Sequence, residues 1–330
     1  MYIAPLKFEY EFIRMKKYIL LSFYCLISFA IVSCDDDTSS SQPVDDFDHE
    51  SQIAIDQALL DTYFETHYYN DLDDGIWTIP DGGDQTPLSE DTNLMTIEGV
   101  EANGTVTDYT MYYYKFNGEG SDAVGKGNPS PIDSVYMNYT GMLLDSTVFD
   151  SRPEYPIWLT LSSVVRGWSH GLPKFLGGKL ILEIDGVVDG DFKYEEQGEG
   201  YLFFPSGLGY ANQAQGGIPA NSPLVFRIAL NDVNLVDHDL DLVPTKYELS
   251  FDAAGNITEY DSDGDGFSDY LDIDDDNDKV LTSEEVEVEF LVNGEIVFDF
   301  NAAGEIVAKN SVTPENPNGD LPAYKNPEIK

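Results

Sequence analysis

Apolar and polar positions change their period several times along this chain, and each change marks a segment. After Met15-Lys16-Lys17 an apolar run covers 18–32, the length of a secretion leader and too short for a comfortable membrane span. Residues 34–50 are Asp, Ser, Gln and Pro with little else, which predicts a solvated tether. From Ser51, Ile55, Leu59, Tyr63 and Phe64 recur at helical spacing, so a packing helix capped by Ser51 is expected to about residue 69. Residues 73–104, rich in Asp, Gly, Thr and Pro, read as loop with short strands. The period then drops to that of β structure. A strand is expected over 109–116, stopped by Asn117-Gly118, and others at 134–139, 157–161, 179–184, 201–204 and 224–230. A short helix fits 167–175. The fold class is therefore α+β, with several antiparallel strands and one short helix.

Composition sharpens this picture. The chain has 330 residues and a formal charge of -44, a surface that repels phosphate backbones and excludes nucleic-acid binding. It also has 42% hydrophobic residues, 21 Tyr and 18 Phe, ample for a core, and its length favours two domains.

The apolar run ends in Ile31-Val32-Ser33-Cys34, which resembles a bacterial lipobox. That resemblance implies cleavage before Cys34, acylation of Cys34 and attachment to a membrane of the cell envelope, with Met15 as the true start. Several acyl chains, each methylene worth about 0.8 kcal/mol when buried, make a stable anchor. Loss of residues 1–33 removes Cys25 as well, so no disulfide is expected within the mature chain.

Five blocks in the middle of the chain carry a second resemblance. Val135-Tyr136-Met137-Asn138-Tyr139-Thr140-Gly141-Met142-Leu143, Val148-Phe149-Asp150-Ser151 and Val164-Val165-Arg166-Gly167-Trp168 come first. Phe204-Pro205-Ser206-Gly207-Leu208-Gly209-Tyr210 and 217–226 follow in order. Together, over 105–234, they resemble the FKBP-type peptidyl-prolyl cis-trans isomerases. The family fold is an antiparallel sheet wrapped around a short helix. The resemblance implies action on proline-containing polypeptides without a cofactor. It also implies a pocket of Tyr139, Phe149, Asp150, Val164, Val165, Trp168, Tyr210, Ile218 and Phe226. Trp168 would floor it, the Val165 N–H and Tyr210 hydroxyl would hold substrate carbonyls, and Asp150 would be tied to Tyr139. An acidic insertion at about 185–200, the short polar stretch 211–215, and Gly217 in place of an apolar residue depart from the pattern, and are expected at the pocket rim.

Beyond residue 234 the chain repeats itself. Asp-x-Asp-x-Asp opens three 12-residue frames, each closed by a carboxylate: Asp237, Asp239, Asp241 with Glu248; Asp261, Asp263, Asp265 with Asp272; Asp274, Asp276, Asp278 with Glu285. Calcium takes six to eight hard oxygens, and this spacing offers them together with the carbonyls of Val243, Phe267 and Val280 at position 7. The frames resemble EF-hand loops and, in Asp272-Ile273-Asp274-Asp275-Asp276-Asn277-Asp278, the thrombospondin type 3 repeat. Only the middle frame has glycine at position 6, Gly266, so it is expected to bind best. The glycine-turn hairpin at 251–257 is echoed at 300–306.

The chain thus divides into a leader (1–33), a tether (34–50), an extension (51–104), an isomerase domain (105–234) and an acidic calcium-binding region with hairpins (235–330). Its expected role is folding of exported proteins, with the isomerase domain responding little to calcium. The alternatives are a non-catalytic FKBP-fold scaffold or a surface adhesin with a calcium-stiffened spacer.

Overall fold

The computed structural model describes residues 47–102, 105–118, 120–122, 125–181, 193–286, 288–290 and 296–298. Cys34 and the leader, residues 185–192 of the acidic insertion and the second glycine-turn repeat lie outside these residues. No helix among them is long and apolar enough to cross a membrane.

Helix α1 spans His49–Thr66. Its cap is Asp48, whose carboxylate accepts the Ser51 N–H at 3.1 Å, and not Ser51 as the sequence suggests. The helix ends before Tyr68 and Tyr69, because the aromatic run enters strand β1 (His67–Asn70), paired with β2 (Gly75–Thr78). Its buried face is Asp56, Leu60, Tyr63 and Phe64, whereas Ile55 and Leu59 face solvent. The segment read as loop with short strands holds the four-residue β2 and a longer, nine-residue strand, β3 (Leu94–Ala102).

Next come β4 (Thr105–Lys115), β5 (Ser134–Leu143), β6 (Val148–Thr160), helix α2 (Arg166–Gly171), β7 (Lys179–Ile181), β8 (Lys193–Glu195), β9 (Gly198–Phe204) and β10 (Leu224–Asn234). The central sheet is antiparallel throughout, in the order β3-β4-β9-β10-β5-β6. Side chains alternate across it. On β9, Leu202 and Phe204 join Trp168, Leu172 and Phe175 from the α2 segment, while Tyr201 and Phe203 join Leu60, Tyr63 and Phe64 from α1. Both faces of β9 are therefore covered, which is why it reads as a continuous apolar run. Close approach of α2 depends on glycine: a Cβ on Gly167 would lie 2.3 Å from the Phe204 ring.

The acidic region contains β11 (Leu249–Phe251), β12 (Ile257–Glu259), helix α3 (Thr282–Glu285), β13 (Val288–Phe290) and β14 (Ile296–Phe298). It is fastened to the sheet domain. Val236 N–H donates to Asp133 Oδ1 at 2.9 Å, and Lys246 Nζ to the Lys126 carbonyl at 2.7 Å. At the β11–β12 turn, His170 Nδ1–H donates to the Ala254 carbonyl at 2.7 Å, and Asn256 bridges the Gly99 carbonyl and the Glu101 N–H.

Candidate active site

One cleft of roughly 720 Å³ gathers all nine side chains that the sequence nominates for proline binding. Tyr139 comes from β5, Phe149 and Asp150 from the start of β6, and Phe226 from β10. Val164 and Val165 lead into α2, which carries Trp168, and Tyr210 and Ile218 come from the β9–β10 connection. Trp168 is only 6% exposed and meets Tyr139 and Phe226 edge-on, each at a ring distance of 4.9 Å. Phe149 meets Phe226 edge-on at 5.5 Å. Such perpendicular packing suits the aromatic quadrupole and leaves a rigid apolar wall.

One carboxylate breaks that wall. Tyr139 O–H donates to Asp150 Oδ2 at 2.7 Å, and the Ser151 N–H holds Oδ1 at 2.8 Å. Burial, followed by this hydrogen bond and the charge of Asp150, pushes the Tyr139 hydroxyl up to about 12. The tyrosine is thus a proton-bearing donor at neutral pH, and the carboxylate is held at the mouth of an aromatic box.

The departures noted in the sequence weigh less than expected. Gln215, Gly216, Gly217 and Ile218 close a tight turn in which Gly216 and Gly217 have φ of 57° and 87°. Gly217 therefore serves the backbone, because a side chain there would be strained. Of the polar stretch 211–215 only Gln215 lines the cleft, and none of the described insertion residues, 193–200, does so.

The three acidic frames are one loop built three times. At position 6, Leu242, Gly266 and Lys279 all have left-handed φ (82°, 101° and 78°), and each N–H reaches the position-1 carboxylate, Asp237, Asp261 or Asp274. The position-7 N–H groups of Val243, Phe267 and Val280 donate to Asp241, Asp265 and Asp278 at 2.7, 2.8 and 2.7 Å. In each frame the position-1, -3 and -5 carboxylates bring oxygens within 4.8 Å of one another.

Burial separates the frames. The middle one, for all its glycine, has Asp261 and Asp265 exposed. In the third, Asp278 and Glu285 are 8% and 4% exposed, and Asp278 Oδ2 and Glu285 Oε2 are buried without hydrogen bonds. Burial first, then Asp276, Asp278 and Asp274, raise Glu285 to about 8. In the first, Asp241 and Glu248 sit within 4.8 Å of Asp275, which the frame spacing alone does not nominate. Closely packed buried carboxylates are costly unless protonated or neutralised by a cation, so the donor set fits a hard divalent ion. Glycine at position 6 thus favours the middle frame, whereas burial favours the first and third. Burial weighs more, because Leu242 and Lys279 already adopt the turn that glycine would ease.

Asp56 in α1, which the sequence does not nominate, hydrogen-bonds Ser206, the residue directly before the cleft-lining Gly207. Its helical position beside Leu60 was visible in the sequence, but its partner 150 residues away was not.

Comparison with known proteins agrees with this geometry. Residues 125–231 match the family described as FKBP-type peptidyl-prolyl cis-trans isomerase. FK506-binding protein 1B of Aspergillus fumigatus is 35% identical over 129 residues, 36% of this chain and 90% of that protein. The chain belongs to the FKBP-type peptidyl-prolyl cis-trans isomerase family, and the matched residues carry β5, β6, α2, β9, most of β10 and the aromatic cleft. FkpA of Escherichia coli K12 is 36% identical over 114 residues, but the match spans only 34% of FkpA and 33% of this chain. The crystal structure of Escherichia coli FkpA overlaps 56% of the chain at a TM-score of 0.34 and 23% identity. Residues 238–314 match a different family, described as BamM C-terminal, which is neither of the calcium-loop families that the frames resemble.

Proposed function

We propose that this chain assists folding of exported proteins by isomerising Xaa-Pro bonds at the outer side of a bacterial membrane, anchored through acylated Cys34 and carrying a calcium-ordered tail. The observation that carries the reading is the aromatic box closed by the Tyr139–Asp150 pair.

Rotation about an Xaa-Pro amide is slow because resonance makes the C–N bond partly double, with a barrier of about 18–20 kcal/mol. The planar amide carries separated charge on oxygen and nitrogen, and the twisted transition state loses it. Water stabilises the planar form more than the twisted one. Trp168, Phe149 and Phe226 replace that water with apolar surface, so the twisted form gains relative to the ground state. In this reading the proline ring rests on Trp168 and the preceding carbonyl swings toward Asp150. The Val165 N–H and Tyr210 hydroxyl hold the flanking carbonyls. No bond is made to the protein, and no cofactor takes part.

The leader and Cys34 motif support the anchor, and the buried carboxylates of the first and third frames support calcium. Refolding of a proline-limited exported protein tests the role. Catalytic amounts of the chain should shorten its slow phase, and Asp150→Val should not. Membrane fractionation tests the anchor: the mature chain should sediment with membranes and carry acyl mass, and Cys34→Ser should lose both. An unaltered slow phase would favour the scaffold reading, and a soluble, unmodified chain would remove the anchor.

A further inference from the structure

The turn that delivers Tyr210 to the cleft is held from behind by an element outside the matched isomerase span. Ser206 begins this turn, and its carbonyl accepts the Gly209 and Ala211 N–H groups at 2.9 and 2.8 Å. Gly207, Leu208, Gly209 and Tyr210, which follow directly, all line the cleft. Whatever fixes Ser206 therefore fixes a whole wall of the pocket.

What fixes it is Asp56 of α1. Asp56 is fully buried, and its Oδ2 accepts both the Ser206 N–H at 2.7 Å and the Ser206 hydroxyl at 2.6 Å. Gln52, one helical turn earlier, donates Nε2–H to Asp56 Oδ1 at 2.7 Å and orients the carboxylate. A second strut lies beside the first. His49, also on α1, hydrogen-bonds the Tyr109 hydroxyl, and Tyr109 stands against Gly207 so tightly that a Cβ there would fall 2.1 Å from its oxygen. The family match begins at residue 125, so neither His49, Gln52 nor Asp56 belongs to it.

A carboxylate with no exposure is a costly way to cap a short turn unless its hydrogen bonds are kept. Three hydrogen bonds converge on this one carboxyl group, two of them from Ser206 to a single oxygen, and such short, directional bonds fix the turn relative to α1. Such positioning decides how well a hydroxyl meets a carbonyl in a twisted amide.

We infer that Asp56 is a positioning residue for the isomerase: through Ser206 it sets the wall that carries Tyr210, making α1 an integral part of the site. The inference rests on the proposal that Tyr210 binds substrate. It is tested on the full mature chain with Asp56→Ala, Asp56→Asn and Tyr210→Phe, singly and combined, at a temperature where each is folded by near-UV circular dichroism. Asp56→Ala should lower kcat/KM about tenfold per folded molecule, mainly through KM, and Asp56→Asn, which keeps an acceptor, should restore most of it. In the Tyr210→Phe background Asp56→Ala should add little, because both act on one contact. Amide exchange at Gly209 and Ala211 reads the turn without substrate, and should quicken about tenfold in Asp56→Ala while β10 amides keep their protection. If Asp56→Ala does not fold, Ser206→Ala removes one of the two bonds and should give the same pattern in smaller measure. Wild-type kcat/KM in a folded Asp56→Ala, or full additivity with Tyr210→Phe, overturns the inference. An inactive wild type would withdraw the isomerase reading instead, and leave the exchange arm to decide whether Asp56 holds the turn.

Discussion

Adding calcium should stabilise the isomerase domain as well as the acidic region. The reason is the way the two are joined. The β11–β12 turn bonds to His170 and Lys174 in and just after α2 and to Gly99 and Glu101 on β3, so ordering the loops braces these elements of the sheet domain. This departs from the expectation that the sequence invites, of two independent parts. The size follows from linkage. Free calcium at about 100 times Kd adds about 2.7 kcal/mol for one site that exists only in the folded state. At about 2–4 °C per kcal/mol for a body of this size, Tm should rise by roughly 5 °C or more. Carboxylate oxygens within 4.8 Å of one another lie well inside the ~8–10 Å over which salt screens, so sodium chloride cannot imitate the effect. Scanning calorimetry in calcium chloride and in sodium chloride of matched ionic strength reads it directly. Near-UV circular dichroism, which reads the packed aromatic side chains, should follow the same transition. Asp278→Ala, in the buried third frame, should blunt the response more than Asp265→Ala in the exposed middle frame. Equal shifts in the two salts, or a larger loss from Asp265→Ala, would refute the reasoning.

Two further outcomes follow from the packing. Gly141→Ala would place a Cβ 2.6 Å from the Phe226 ring and 2.7 Å from that of Phe149, so it should cost about 1–3 kcal/mol in urea unfolding and lower kcat/KM. An unchanged rate would show that those rings do not shape the reacting site. Burial holds His170 below its ordinary 6.5, so the unfolded chain takes up the proton first as pH falls. Its contribution is therefore present above about pH 6.5 and is lost on acidification. Lowering pH from about 7.5 to about 5.5 should destabilise the wild type more than His170→Asn, and equal losses would remove His170 as a cause.

What could be read from the sequence follows physical range. The strands around Tyr139, Phe149 and Phe226 were legible because alternation and turn residues are local, and the cleft because its blocks keep their order along the chain. The three calcium-type frames were legible as spacing, and their common turn appears in the structure. Their burial was not, since it depends on how 235–286 folds back on the sheet domain. Ser51 looked like the cap of α1 because Asp48 is an equally good cap three residues earlier. The role of Asp56 was hidden for the same reason as the burial: a carboxylate on an otherwise apolar helix face gives no hint of Ser206. Gly217 looked like a missing apolar contact until its φ of 87° showed a turn requirement.

The account stands or falls on the rate of a single-bond rotation. Cis/trans exchange of an apolar-Pro peptide, followed without protease by NMR exchange spectroscopy, takes about 10–100 s unaided at 25 °C. The purified chain from residue 35 onward should shorten this saturably, with Asp150→Val and Phe149→Ala each losing most of the acceleration while remaining folded. Exchange at the rate of the peptide alone, in a chain whose near-UV spectrum shows native aromatic packing, would contradict it.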